Sequence, residues 1–259
     1  MQILPTFFFA TSLALGVASS PAAQDEQAPL VAFEDAFPEQ EDFDRPLQVS
    51  FHSSDQRFAW VVEQTGRIWR VPTQGGSERS LVVDFSERAL HPRNGGGNEE
   101  GLLCCSFAPD FAESRHVFVY YSFEFMRLPG NPNARSRRAR RPTIKRQSIV
   151  DRYTVVEDGS AMKFDLDSRL EILRVDQPFG NHNGGTIAFG PDKMLYIVFG
   201  DGGAANDIAG NGQDLWTLLA TVSRIDVSES TAMKPYRIPL DNPFVKQSTT
   251  RPEIWAYGL

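Results

Sequence analysis

A histidine set between two asparagines and ahead of a glycine pair, Asn181-His182-Asn183-Gly184-Gly185, is the residue of this chain best suited to chemistry. A neutral imidazole with an unperturbed pKa of about 6.5 accepts a proton at ambient pH, so the chemistry it offers is general-base catalysis. Asn181 and Asn183 carry amides able to orient the ring or a substrate hydroxyl without fixing the ring as a cation, which makes them candidate substrate-pocket residues. His52, His91 and His116 lie in no such setting. A second polar cluster, Asp201, Asn206, Asp207, Asn211 and Asp214, is rich in oxygen but lacks the spacing and the closing glutamate of an EF-hand. It reads as a set of turn formers, and no metal ligand is assigned from it. The glycine-rich stretch 94–101 has no Lys-Ser/Thr pair and no helix signal behind it, which excludes a P-loop.

The elements that must position His182 are strands. It stands at the mouth of a hairpin whose turn is Gly190-Pro191-Asp192 and whose second strand, Met194 to Phe199, is apolar and β-rich. The hairpin belongs to a theme that occurs three times: from Gln48 to Pro72, from Leu103 to Ser122 with Arg146–Val155 closing it, and from Thr186 to Asp201 with Val222–Val227 closing it. Phe51, Phe107 and Phe189 hold one place in it, just before turns built on Ser54-Asp55, Pro109-Asp110 and Pro191-Asp192. Periodic antiparallel units of this kind, with few stretches of helical period, predict an all-β chain of the β-propeller type. The count of units is three blades and the start of a fourth. Half a ring leaves strand edges and an inner channel uncovered, and the chain on this reading is part of a larger ring.

Composition places the rest. With 41% hydrophobic residues and a formal charge of -7, the chain has the balance of a soluble globular protein and nothing that argues for nucleic acid as a partner. Residues 1–23 join an apolar run, Phe7 to Ala18, to small residues suited to cleavage, the layout of a secretory signal peptide without a basic start. Residues 24–45 form an acidic, proline-punctuated linker, and 46–259 the folded unit. No later stretch is long and apolar enough for an integral membrane segment. The expected location is secreted, or periplasmic in a bacterium. Cys104 and Cys105 are adjacent on a predicted strand, so their side chains point to opposite faces as packing residues rather than to each other as a disulfide. A loop predicted over 124–147 carries the basic run from Ala134 to Arg146. Arg137, Arg138, Arg140 and Arg141 form two overlapping Arg-x-Arg-Arg patterns there, which suit proteolytic processing or a polyanionic glycan.

Several blocks, in order, resemble one family: GNEEGLLCCSFAPDF from Gly97, RQSIVDRYTV from Arg146, NHNGG from Asn181, LLATVSRIDV from Leu218, YRIPLDNPFV from Tyr236 and PEIWAYGL from Pro252. The chain is similar to the glucose/sorbosone dehydrogenases, which include soluble pyrroloquinoline-quinone sugar dehydrogenases and hedgehog-interacting-protein-like proteins. The resemblance implies a six-bladed propeller. It casts His182 as the base that takes a sugar hydroxyl proton while hydride passes to the quinone, and it places Glu99, where the family commonly has glutamine, beside the quinone and sugar. Pyrroloquinoline quinone and calcium are the implied cofactors, although the segments that ligate calcium and clamp the quinone have no counterpart in this sequence. The implied partner is a small sugar or polyol. The alternative within the same family is a non-catalytic extracellular propeller that binds a protein or a glycan.

Overall fold

The computed structural model describes residues 32, 34–130, 132–136, 143–159 and 161–259. The folded unit runs from Ala36 to Leu259. Residues 1–23, read as a signal peptide, lie outside the described residues, as do Arg137, Arg138, Arg140 and Arg141.

Alternating β-branched and aromatic residues, punctuated by Asp, Gly and Pro turns, fold into twelve strands among the described residues. They form three four-stranded antiparallel meanders, each following chain order. The first holds β1 (Pro46–Ser50), β2 (Phe58–Glu63), β3 (Arg67–Pro72) and β4 (Ser80–Asp84). The second holds β5 (Leu102–Phe107), β6 (His116–Leu128), β7 (Thr143–Asp158) and β8 (Ala161–Gln177), with one helical turn, α1 (Phe111–Ser114), before β6. The third holds β9 (Thr186–Phe189), β10 (Leu195–Val198), β11 (Thr221–Ile225) and β12 (Ile254–Tyr257). The first strands β1, β5 and β9 are successive neighbours, and β4 meets β8, which is the arrangement of propeller blades. Among the described residues there are three blades and no strand of a fourth, and the PEIWAYGL block supplies the outer strand of the third.

Two cores cement the blades, one on each face of the middle sheet. The first gathers Trp60, Ile68, Phe85, Val119, Tyr121, Tyr153 and Phe164, with Trp60 edge-on to Phe107 at 4.8 Å. The second gathers Phe118, Tyr120, Ile172, Ile197, Phe199 and Ile254. Each large apolar side chain fully buried in this way stabilises the fold by about 1.5–3 kcal/mol. Cys105 falls in the first core and Cys104 in the second, as adjacent strand positions require. Both are free thiols, and burial pushes their pKa values up, which keeps them protonated and inert.

Two segments are more ordered than their composition predicts. In the acidic linker, Phe37 packs edge-on to Phe43, Arg79 lies over the Phe43 ring at 4.9 Å, and the Asp44 N–H donates to Glu63 Oε1. Ordered packing therefore starts before Pro46, because Arg79 lies over both Phe43 and Trp69 of β3 and Asp44 is tied to Glu63 of β2. The loop expected over 124–147 is shorter, since the β6–β7 ladder continues through Glu124↔Arg146 to Leu128↔Thr143. Backbone pairing there overrides the polar composition that reads as loop.

Leu47 and Val49 share one face of β1 and are exposed with Phe51, while Trp216, Trp255 and Tyr257 are exposed on the third blade. Apolar surface of this kind drives association. The chain alone is expected to self-associate as its concentration rises in sedimentation velocity, and a single monomer boundary throughout the micromolar range would contradict this.

Candidate functional site

Three connections meet at one end of the blades: β4–β5, which carries Glu99, β8–β9, which carries His182, and β10–β11, which opens with Asp201. Antiparallel pairing brings the last two together, for the residues before β9 and those after β10 lie at the same end of one hairpin. The backbone here needs unusual conformations. His182 has φ 55°, Gly184 75° and Gly185 129°. A Cβ on Gly184 would stand 2.4 Å from the Val198 carbonyl oxygen, so the glycine pair lets the loop lie directly on β10. The Gly202 N–H then donates to the His182 carbonyl at 3.1 Å and closes the β10 exit over it.

His182 projects with its side chain 41% exposed. Its Nδ1 lies 2.8 Å from Asp201 Oδ1, an oxygen that also accepts the Gly203 N–H at 2.8 Å. Burial alone would push the Asp201 carboxyl up, but the Gly203 N–H and the His182 ring outweigh it and hold the carboxyl below its ordinary range. An ionised Asp201 can only accept, so it fixes the neutral ring with the proton on Nδ1 and the lone pair on Nε2. The backbone N–H of His182 donates to Glu99 Oε2 at 2.5 Å. Glu99 therefore stands against His182, and its visible task is to hold the His182 backbone.

The amide N–H groups of both asparagines are engaged by the protein itself. Asn183 is buried, its Nδ2 donating to Gln177 Oε1 at 3.1 Å and to the Phe179 carbonyl at 3.0 Å, while its own carbonyl accepts from Tyr120 Oη at 2.7 Å. Its expected place in a substrate pocket is thereby corrected, because the left-handed turn at His182 sends the next side chain inward. Asn181 donates through Nδ2 to the Ala204 carbonyl at 2.8 Å and straps the 201–204 loop, which leaves only its carbonyl oxygen for a substrate hydroxyl. Sequence reasoning missed Asp201 as the partner of His182. The available signal was its position just past the second strand of the hairpin that His182 opens. The remaining acids of that cluster form turns as expected: Asp207 caps Asn211 and Gly212, and Asp214 caps Trp216.

Glu100 lies buried behind the site. Burial raises its pKa, and it is held by the Gly97 N–H and by Arg146 at 2.8 Å. Arg45 is likewise engaged, with Gln64 and Asn98. Among the described residues no group of three His, Cys, Asp or Glu side chains is placed to hold a metal ion. The Glu99 and His182 loops interlock at Gly97, where a Cβ would stand 2.2 Å from the Gly180 carbonyl oxygen. Gly97→Ala is expected to cost about 2 kcal/mol or more, because both partners are backbone and neither can rotate away. Thermal unfolding measures it, and an unchanged midpoint would show that the loops are not locked there.

Four-stranded meanders side by side, with a histidine–aspartate pair on the loops at one end, define a β-propeller whose polar site sits at the blade ends. The glucose/sorbosone dehydrogenase family model matches residues 43–259, and the chain belongs to that family. Hedgehog-interacting protein of Homo sapiens is 27% identical over 212 residues, covering 81% of this chain and 28% of that protein. Quinoprotein glucose dehydrogenase B of Acinetobacter calcoaceticus is 26% identical over 201 residues, covering 71% of this chain and 36% of that protein. The soluble aldose sugar dehydrogenase of Escherichia coli, solved in its apo form, superposes with a TM-score of 0.56 at 26% identity, over 84% of this chain and 52% of that one. The chain thus spans about a third of the length of the curated relatives it matches and about half of the solved one. No helix of the described residues is long and apolar enough to cross a membrane.

Proposed function

We propose that this chain is the proton-accepting part of an exported sugar dehydrogenase, in which His182 takes the hydroxyl proton of an aldose or similar polyol as hydride leaves the same carbon. The observation that carries this reading is the 2.8 Å contact of Nδ1 with Asp201 on an exposed ring, which leaves Nε2 as a base of fixed orientation. As the proton arrives on Nε2 the ring becomes a cation, and the Asp201 carboxylate stabilises it where it forms. Glu99 holds the backbone that carries the ring, and the Asn181 carbonyl oxygen is open to accept a second sugar hydroxyl. The signal-like leader of residues 1–23 supports export.

The family implies pyrroloquinoline quinone as hydride acceptor, with calcium. The residues described here do not by themselves fit that group: Glu99 and Asp201 present carboxylates to a cofactor that is itself a polycarboxylate, while Arg45 and Arg146 are already engaged. The chemistry this chain supplies therefore ends at the proton on Nε2.

A second reading, a non-catalytic extracellular propeller that binds a protein or glycan, is favoured by one observation: the match to the hedgehog-interacting protein covers more of this chain than the match to the quinoprotein, 81% against 71%. Dye reduction by the protein supplied with pyrroloquinoline quinone and calcium, across a panel of aldoses and polyols, tests the first reading. Aldose-dependent reduction is expected. Failure with every sugar, joined to tight binding of a hedgehog-type ligand, would replace it with the second.

A further inference from the structure

At the end of the blades opposite His182, the three sheets repeat one polar device. An arginine on the third strand stands across from an aromatic residue on the second: Arg70 from Trp60, Arg152 from Phe118 and Arg224 from Tyr196. In the first blade the guanidinium is tied to the aspartate of the first turn, Arg70 Nη2 to Asp55 Oδ2 at 2.5 Å. In the third it is tied in the same way, Arg224 Nε to Asp192 Oδ2 at 2.9 Å. The middle blade breaks the pattern. Asp110 holds the matching turn position but accepts from Ser114 Oγ at 2.9 Å instead. Arg152 has no carboxylate in ion-pair range among the described residues. Its Nε is buried without a partner, and its Nη1 reaches the Ser230 carbonyl at 3.4 Å.

Phe118, the cross-strand neighbour of Arg152, lines a cavity of about 230 Å³ between the second and third blades. Phe118 and Phe189, edge to face with centroids 5.2 Å apart, line it together with Pro109 and Val227. Lys193 stands at its edge with no ion pair among the described residues, and His116 completes the wall. Burial, aided by Arg152, holds the His116 ring below its ordinary pKa, so it is neutral at neutral pH and adds no charge of its own. At ~30 Å³ for each water the volume takes about seven waters, or one compact organic body.

We propose that this cavity binds a small organic monocarboxylate with a compact apolar body. The carboxylate stands between Arg152 and Lys193, in the place that an aspartate fills in the other two blades, and the apolar body lies against Phe118, Phe189 and Val227. The planar guanidinium matches a carboxylate, and the apolar walls reward a ring or branched alkyl group over an inorganic anion. Asp110 at the wall opposes a dianion about twice as strongly as a monoanion and so disfavours phosphate esters relative to a monocarboxylate. The site lies at the far end of the β9–β10 hairpin from His182 and is independent of the reading of that residue.

Sodium benzoate and its neutral counterpart benzamide, titrated calorimetrically into the full chain at pH 7, test the proposal. Benzoate is expected to bind with a Kd of about 1 mM or tighter, in keeping with so small a ligand, and benzamide at least tenfold more weakly. Arg152→Gln is expected to weaken benzoate at least tenfold. Lys193→Asn should weaken it several-fold, and asparagine tolerates the left-handed backbone at that position, φ 63°, so this variant remains informative if the first fails to fold. Equal affinity for benzoate and benzamide, no binding of either, or unchanged benzoate affinity in a folded Lys193→Asn protein would overturn it. A solution or crystal structure with Asp110 closed onto Arg152 would do the same.

Discussion

Replacing His182 with alanine is expected to lower sugar turnover by about 10²–10⁴-fold, the usual worth of a positioned general base, while leaving sugar binding nearly unchanged. The expectation rests on position as well as residue type. The ring is exposed, its Nδ1 is committed to Asp201, and its backbone is held on both sides, by Glu99 at the N–H and by Gly202 at the carbonyl. Loss of the side chain removes the proton acceptor but neither backbone tie, so the loop should stay in place and the effect should appear in kcat rather than KM. His116→Ala is the control, since that ring lies at the other end of the blades, and it should leave turnover within about twofold. Steady-state kinetics on both variants decide the matter: equal losses, or full activity in His182→Ala, would remove His182 from the chemistry and favour the binding reading.

For Asp201→Asn, turnover is expected to fall by roughly 10²-fold with little change in fold, because an amide can offer its own N–H to Nδ1 and so turn the lone pair away from the substrate side. The carboxylate's absence also leaves the imidazolium that forms in the reaction without a counter-charge. Acid titration gives an independent readout. The Asp201 carboxyl is depressed in the folded protein, so the stability it contributes is complete above the unfolded-state value of about 4 and is lost as pH falls through the lower native value. The wild-type protein should therefore show a component of acid destabilisation below about pH 4 that Asp201→Asn lacks. A variant with wild-type kcat and a wild-type acid profile would mean that the 2.8 Å contact neither orients nor stabilises the ring.

Local pattern alone determined a good deal. The phenylalanine-then-turn theme at Phe51, Phe107 and Phe189 marks the first hairpin of each blade, because strand alternation and turn chemistry are local properties and the chain repeats them. The opposite facing of Cys104 and Cys105 follows from the two-residue period of a strand, and their burial in separate cores agrees with it. His182 and its glycine pair were legible because a loop that lies flat on a strand must be spelled with residues that tolerate positive φ.

Tertiary structure decided the rest, for reasons that do not show in residue order. Asp201 looks like any turn aspartate until antiparallel pairing returns the end of β10 to the mouth of β9. Asn183 looks like a pocket residue until the left-handed turn at His182 rotates it into the core, where Gln177 and Phe179 take its amide. Glu124 to Gln147 looks like one polar loop, but cross-strand hydrogen bonds carry the β6–β7 ladder out through Leu128 and Thr143. The open guanidinium of Arg152 is the clearest case. Asp55, Asp110 and Asp192 occupy equivalent turns and read alike in sequence, yet Ser114, brought within reach of Asp110 by one turn of helix, engages that carboxylate, and the Nε of the middle blade's arginine is left without a partner among the described residues.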